Sequence, residues 1–235
     1  SHLFVKKFDL KVFVINNPDQ LNQAIEKLYN TDLEVMVQDI IPGNEIYVCY
    51  FYFDQKTEPL AICGYDKLRQ SPPDFGNGSL CRSFWKPYPI AVAVDVLKSM
   101  KYHGIAVAEF KRDPRDGQYK MIEINARTTM QSILVAQSKV PIHYVAYKNL
   151  INGDNSKIPF QTDEILWIDE LTDMYYGMLH IIKKIITFSE LFKPIKGRKV
   201  FAVASLDDPA PFIVSAIQFL LGILRQLLKK VHPRL

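Results

Sequence analysis

Two short stretches near the middle of the chain have the apolar composition that is typical of β-strands. The first covers residues 104–110 and the second covers residues 121–127. Pro114 and Gly117 lie between them, and these are turn residues because proline fixes φ and glycine readily adopts a positive φ. The pattern therefore predicts a β-hairpin at this point of the chain.

Three side chains with oxygen donors belong to this predicted hairpin. Alternate residues of a strand share a face, so Glu123 and Asn125 project together, and Glu109 on the other strand can reach the same place. Both acids stand among apolar residues, where a carboxylate needs a partner. Two carboxylates and an amide are a hard oxygen donor set of the kind that Mg²⁺ prefers, usually with phosphate oxygens. We predict that these three residues are metal ligands rather than solvated surface charges.

Strand-like and helix-like segments recur along the rest of the chain. Strand composition marks residues 12–15, 35–41, Ile46–Phe53 and 199–206. Helical periodicity marks residues 18–29, 90–101, 128–140, 142–152, 167–186, a short segment at 189–192, and 212–231. A chain of 235 residues can bury a full core. We therefore predict an α+β fold with a largely antiparallel, curved sheet flanked by helices.

The two hairpin segments carry a resemblance to a known family. They resemble the metal-binding hairpin of the ATP-grasp superfamily, with the sequences GIAVAEF at residues 104–110 and MIEINAR at residues 121–127. This superfamily includes D-aspartate ligases and the carbamoyl-phosphate synthase large chain. The family commonly has proline where this chain has Ala126, but the ligand positions are kept. The resemblance implies an ATP-grasp fold over nearly the whole chain, and it is weak after residue 160.

A second motif, VMVQDIIPGNE, lies upstream at residues 35–45. An apolar segment that breaks at a proline–glycine pair leaves backbone groups that can read the edge of a flat heterocycle. The resemblance implies that this segment is the hinge that grips the nucleotide. The backbones of Gln38 and Ile41 would then face adenine, and Asp39 and Glu45 would complete the nucleotide site, with Glu45 accepting the ribose hydroxyls.

Three basic residues complete the predicted site. Lys67 and Arg69 lie near the end of an extended segment, just before a loop rich in proline and glycine, and Arg127 directly follows the metal-binding strand. Lysine as a point charge and arginine as a fork suit phosphate or carboxylate oxygens. The resemblance assigns a phosphate contact to Lys67, and we predict catalytic roles for all three residues. The alternative is a solvated basic loop.

The resemblance implies a ligase that joins carbon to nitrogen. It would use ATP and Mg²⁺, with Mn²⁺ able to replace Mg²⁺, to form an acyl phosphate from a small carboxylate, which a small amine then attacks. Two alternatives stay open: a nucleotide-binding module without catalysis, and a membrane-surface or assembly component that acts through its C-terminal helix. The sequence shows no nucleic-acid-binding motif.

The two ends of the chain differ in character. We predict an ATP-grasp domain over residues 1–158 that starts inside the small lobe, and a mostly helical extension over residues 159–235. The last helix has a broad apolar face and a basic end. It could pack on protein, as in a homodimer, or lie on the inner face of a membrane, and we favour protein. The odd count of three cysteines without metal spacing indicates reduced thiols and a cytoplasmic protein.

Overall fold

The computed structural model describes residues 2–10, 12–71, 76–158 and 163–231, with side chains described as far as Leu224. The helices are α1 His2–Phe8, α2 Pro18–Tyr29, α3 Pro87–Ser99, α4 Ser132–Gln137, α5 Ile142–Asn152, α6 Glu170–Ile182, α7 Phe188–Phe192 and α8 Ala210–Val231. The strands are β1 Ile46–Phe53, β2 Pro59–Ser71, β3 Asn77–Ser83, β4 Gly104–Arg112, β5 Tyr119–Asn125, β6 Ile165–Ile168 and β7 Arg198–Phe201.

The strands form one seven-stranded sheet in the order β5-β4-β1-β2-β3-β6-β7. Every neighbouring pair is antiparallel except β6 and β7, which are parallel. The predicted α+β class, with a largely antiparallel sheet, flanking helices and a C-terminal helix, is confirmed. Within the described part of the chain, no helix is long and apolar enough to cross a membrane.

The strand β1, which lies between β4 and β2 in the interior of the sheet, is buried along its whole length. An unbroken apolar run of this kind is typical of a strand that is covered on both faces. One face of the sheet carries Tyr50 and Trp167 and packs against residues of α4 and α5. The other face carries Tyr47 and Phe51 and packs against α3. The sheet is therefore the middle layer between helices.

The chain divides into two compact units, Ser1–Ile40 and Ile41–Leu235. In the first unit, Asn17 caps α2 by accepting a hydrogen bond from the Gln20 amide at 2.9 Å. The rings of Phe4, Phe8 and Phe13 form a cluster with centroids about 5 Å apart. This unit thus has a small apolar cluster of its own, formed by two residues of α1 and by Phe13.

Two predicted strands are wrong. Residues 12–15 and 35–41 have no strand pairing in the described part of the chain. Phe13 packs against two helical phenylalanines instead of a strand. Met36 and Val37 are about four-fifths exposed, so this short apolar run does not form a buried sheet face. A short apolar run becomes a strand only where a neighbouring strand is available to pair with it.

Two strands of the sheet lie beyond residue 158. Residues 167 and 168, where the sequence predicts the start of a helix, belong to the first of these strands, β6, and the helix α6 begins at Glu170. β6 pairs with β3 and β7 pairs with β6, so the C-terminal part of the chain extends the sheet before it becomes helical in α8. The division into domains at residues 158 and 159 stays a prediction.

Gly64 in β2 provides a test of side-chain packing on the face of the sheet that α3 covers. A Cβ atom on Gly64 would lie 1.8 Å from the Tyr47 hydroxyl oxygen. That hydroxyl donates to the Phe84 carbonyl at 2.8 Å and accepts from the Lys86 amide at 2.9 Å, so it cannot move freely. We expect Gly64→Ala to lower the free energy of unfolding by about 2–3 kcal/mol, measured by urea denaturation.

Gly222 in α8 supplies the control for this substitution. A Cβ atom there would meet no other atom within 4 Å. Gly222→Ala should leave stability unchanged or raise it, because alanine favours a helix over glycine. Equal stabilities of the two variants would contradict the close packing of Gly64 on Tyr47.

Candidate functional site

The hairpin of β4 and β5 brings the three predicted metal ligands together. Glu109 pairs directly with Glu123, and Val107 pairs with Asn125. Directly opposite residues of an antiparallel pair have Cβ atoms about 4.5–5.5 Å apart. The Asn125 amide also donates to the Glu123 carboxylate at 2.8 Å. Two carboxylates and one amide therefore occupy neighbouring positions on the sheet face that α4 and α5 cover further along. Glu123 is exposed, however, so the expectation that both acids lie among buried apolar residues is wrong for Glu123.

A register shift in the hairpin keeps these acids opposite each other. Phe110 pairs with Met121, so the strand β5 has one extra residue, Ile122, before Glu123. A bulge of this kind re-aims side chains and is frequent next to functional sites. Without the shift, the alternation along β5 would place Glu123 on the opposite face from Glu109.

Lys67 of β2 reaches across β1 to the same place. Its ammonium group donates to both carboxylate oxygens of Glu109, at 2.6 and 2.8 Å. The Lys67 side chain is 7% exposed and the Glu109 side chain is 13% exposed. In a largely buried pair each charge compensates the other, and loss of one partner would leave an uncompensated buried charge. Lys67 is thereby fixed beside the carboxylates of the hairpin.

Two tyrosine hydroxyls border the site, and sequence reasoning missed them. The Tyr65 hydroxyl donates to the Gln131 side chain at 3.3 Å, and the Tyr50 hydroxyl accepts from the Thr129 amide at 3.0 Å. Burial raises the pKa of both tyrosines above the ordinary value, so both are neutral hydroxyls near pH 7. Alternation along β2 was the available signal, since Tyr65 precedes Lys67 by two residues.

The predicted helix over residues 128–140 is shorter than expected. α4 begins at Ser132 and ends at Gln137. The Thr129 amide instead donates to the Tyr50 hydroxyl, and Lys139 has a positive φ that ends the helical path. The predicted start of this helix at residue 128 is therefore wrong. A tertiary hydrogen bond to the sheet replaces the first turn.

The two arginines of the predicted site have different environments. Arg127 is exposed, and its guanidinium donates to the Thr128 carbonyl at 3.2 Å. Arg69 donates to the Asp173 carboxylate at 2.8 Å and to the Leu191 carbonyl at 2.7 Å. These contacts indicate that Arg69 ties β2 to α6 and α7. Its catalytic role stays a prediction, as does that of Arg127.

The predicted hinge residues lie on both sides of the boundary between the two compact units. Gln38 and Asp39 are exposed in the first unit, whereas Ile41 is half-buried and Glu45 is exposed in the second. The Glu45 carboxylate forms an exposed ion pair with Arg112 at 3.1 Å. Binding of ribose hydroxyls by Glu45 would have to compete with this pair. The nucleotide-binding roles of all four residues stay predictions.

Gly43 lies in the turn that leads into β1. Its φ is +87°, and a Cβ atom there would lie 3.2 Å from the ring of Pro114. Glycine is favoured at such a position because it has no Cβ to strain the backbone or to meet the neighbouring turn. This close approach places the beginning of β1 against the turn between β4 and β5.

Comparison with known proteins gives one curated relative. The chain is similar to D-aspartate ligase of Enterococcus faecium (strain Aus0004), with 28% identity over 131 residues, which is 53% of this chain and 31% of that protein. The match thus spans about a third of the length of the curated relative. No protein-family model matches the chain.

Solved structures show partial similarity to the fold. Rhizobium etli pyruvate carboxylase matches 51% of this chain and 14% of its own, with a TM-score of 0.41 and 14% identity. A biotin carboxylase complex from Campylobacter jejuni matches 47% of this chain and 26% of its own, with a TM-score of 0.39 and 16% identity. The sequence match to D-aspartate ligase supports a relation between this chain and the ATP-grasp superfamily.

Proposed function

We propose that the chain is part of an ATP-dependent carboxylate–amine ligase that works through an acyl phosphate. The observation that carries this proposal is the direct pairing of Glu109 with Glu123, with Lys67 bonded to Glu109 beside them. This arrangement occurs in a chain that is similar to D-aspartate ligase. Carboxylates next to a fixed ammonium group suit a cation that is bound together with phosphate oxygens.

The donor set fits Mg²⁺. Glu109, Glu123 and Asn125 would hold the ion, since all three offer oxygen atoms and lie at neighbouring positions of one hairpin. Within the described residues, no group of three or more His, Cys, Asp or Glu side chains could hold a metal ion. The proposed set has two carboxylates, and its third donor is the Asn125 amide oxygen. When bound, the ion would neutralise charge on the phosphates of ATP.

The protein side chains act in this reaction by binding and orientation. Lys67 donates to both carboxylate oxygens of Glu109, so this bond would have to open for the ammonium to bind a phosphate oxygen and for Glu109 to bind the ion. The exposed Arg127 guanidinium would contact the transferred phosphoryl group. A carboxylate oxygen of the acid substrate forms a bond to the γ-phosphorus while the bond to ADP breaks. The amine then bonds to the acyl carbon, phosphate leaves with the carboxylate oxygen, and the amine nitrogen loses a proton. No side chain serves as a nucleophile.

Trapping of the acyl phosphate tests this function. The natural full-length protein is incubated with ATP, Mg²⁺ and a panel of small carboxylic acids, with hydroxylamine in place of the amine. Hydroxylamine attacks an acyl phosphate and gives a hydroxamate that forms a coloured complex with ferric iron. We expect ADP and hydroxamate in equal amounts with one acid of the panel, and neither product without an acid.

The alternative function gives a different result in the same assay. A nucleotide-binding module without catalysis would bind Mg-ATP, as measured by titration calorimetry, but would release no ADP with any acid or amine. Formation of ADP without hydroxamate would indicate ATP hydrolysis and would contradict an acyl phosphate.

A further inference from the structure

The C-terminal helix α8 has two apolar faces. One face consists of half-buried residues with the spacing i, i+3, i+4, i+7 and i+11, and the Phe219 ring on it packs against Tyr175 of α6 with centroids 5.5 Å apart. Its members are Phe212, Ser215, Ala216, Phe219 and Ile223. This face is the one that α8 turns towards the rest of its unit.

The other apolar face of α8 is open to solvent. Six aliphatic side chains on it are each about half exposed. They are Ile213, Val214, Ile217, Leu220, Leu221 and Leu224. Single exposed apolar residues are common on any protein, but a contiguous row of six along one helix marks an interaction site.

The helix that contacts α8 carries a second exposed apolar row. Met174, Met178 and Ile182 of α6 follow the spacing i, i+4 and i+8, and their exposed fractions are 59%, 40% and 72%. Leu206, just before α8, is fully exposed. Apolar exposure in this unit is thus concentrated in the segment that contains α6 and α8.

The charge that this segment turns to solvent is mainly positive. From the first residue of α6 to Leu224 the chain contains six Lys and Arg and five Asp and Glu, and α8 contains no acidic residue. Two of the five acids are bonded within the unit, since Glu170 accepts from the Ala204 amide and Asp173 accepts from Arg69. After Leu224, the sequence adds only basic charges. Five lysines of the segment are exposed: Lys183, Lys184, Lys193, Lys196 and Lys199. A partner surface that matches this segment has to be both apolar and acidic.

We propose that the open face of α8 binds in the interface of a lipid bilayer that contains anionic lipids. An amphipathic helix with bulky aliphatic residues and basic neighbours lies in the plane of such an interface, with its apolar face among the acyl chains. Lysines near the surface add electrostatic attraction to anionic headgroups. A second copy of the chain is disfavoured as the occupant because it would bring the same basic segment against itself. The proposal does not depend on ligase activity.

Co-sedimentation of the 235-residue chain with vesicles tests the proposal. We expect binding to phosphatidylcholine vesicles that contain phosphatidylglycerol, and weaker binding to vesicles of phosphatidylcholine alone. The double variant Ile217→Gln and Leu221→Gln should weaken binding to anionic vesicles by roughly tenfold or more, since two side chains lose their burial in the interface. Gly222→Gln is the matched control, because a side chain there enters open space outside the apolar row.

A charge variant separates the electrostatic contribution from the apolar one. Lys193→Gln with Lys196→Gln should weaken binding to anionic vesicles by about fivefold for each lysine that lies near the surface, with no change for neutral vesicles. The same loss should follow when the salt concentration is raised.

Three results would overturn the membrane proposal. The first is no binding to anionic vesicles by the unmodified chain. The second is equal loss of binding in the Gly222→Gln control and the Ile217→Gln, Leu221→Gln variant. The third is a dimer in sedimentation equilibrium that the double variant dissociates while vesicle binding is absent, which would assign the open face of α8 to a second copy of the chain.

Discussion

Replacing Glu123 by glutamine should reduce ADP release by the full-length protein by roughly a hundredfold or more, while the protein stays folded. The substitution keeps the size of the side chain and removes the charge that lies opposite Glu109. Glu123 is exposed, so its loss leaves no unpaired charge in the core. The amide oxygen of glutamine is a weaker ligand for Mg²⁺ than a carboxylate. The measurement is steady-state ADP release, with circular dichroism to confirm the fold.

Asn125→Ala should have the same effect, because it removes the third oxygen donor of the hairpin. The matched control is Glu58→Gln. Glu58 is also an exposed carboxylate that precedes β2, but at the opposite end of that strand from Lys67, where it pairs with Lys98 and Lys157. Turnover of Glu58→Gln should equal that of the unmodified protein. Normal turnover of Glu123→Gln would refute the metal assignment.

The parts of the fold that the sequence predicted well are those with strong local signals. The strand over Ile46–Phe53 is an unbroken run of apolar residues, and the helix over Pro18–Tyr29 has a capping asparagine and a proline at its first turn. Gly153 ends α5 in the left-handed conformation, as its position after the helical pattern indicated. Each of these signals lies within the segment that it describes.

The parts that the sequence could not predict depend on partners far away in the chain. The bond from Lys67 to Glu109 joins residues 42 positions apart, and it forms because both lie next to β1. The start of α4 depends on the hydroxyl of Tyr50, which is 79 positions before Thr129. Local periodicity contains no information about such contacts. The exact lengths of helices and the partners of charged side chains therefore cannot be predicted from it.

Arg69 shows how a distant partner changes the interpretation of a candidate site residue. Its guanidinium meets the carboxylate of Asp173, 104 positions later, and the same carboxylate accepts from the Ser79 hydroxyl at 2.9 Å. The Arg69 side chain is 19% exposed and the Asp173 side chain is 6% exposed. Sequence position alone suggested that Arg69 binds phosphate. Its contacts instead form a largely buried ion pair with Asp173 that joins β2, β3 and α6.

Asp173→Asn should therefore lower the free energy of unfolding by about 3 kcal/mol, because it leaves the Arg69 charge largely buried without a counter-charge. The measurement is urea denaturation followed by tryptophan fluorescence, since Trp167 is buried on the strand that precedes α6. The exposed pair of Glu58 and Lys98 supplies the comparison. Glu58→Gln should have no measurable effect on stability, since exposed ion pairs contribute little.

The double variant Arg69→Met and Asp173→Leu separates the structural role of Arg69 from a catalytic one. Removal of both charges should recover most of the stability that Asp173→Asn loses, because apolar residues can replace a buried ion pair. If Arg69 acts only as a tie, the double variant keeps its rate of ADP release. A stable double variant without turnover would instead assign Arg69 to catalysis. A stability of Asp173→Asn equal to that of the unmodified protein would contradict the buried ion pair itself.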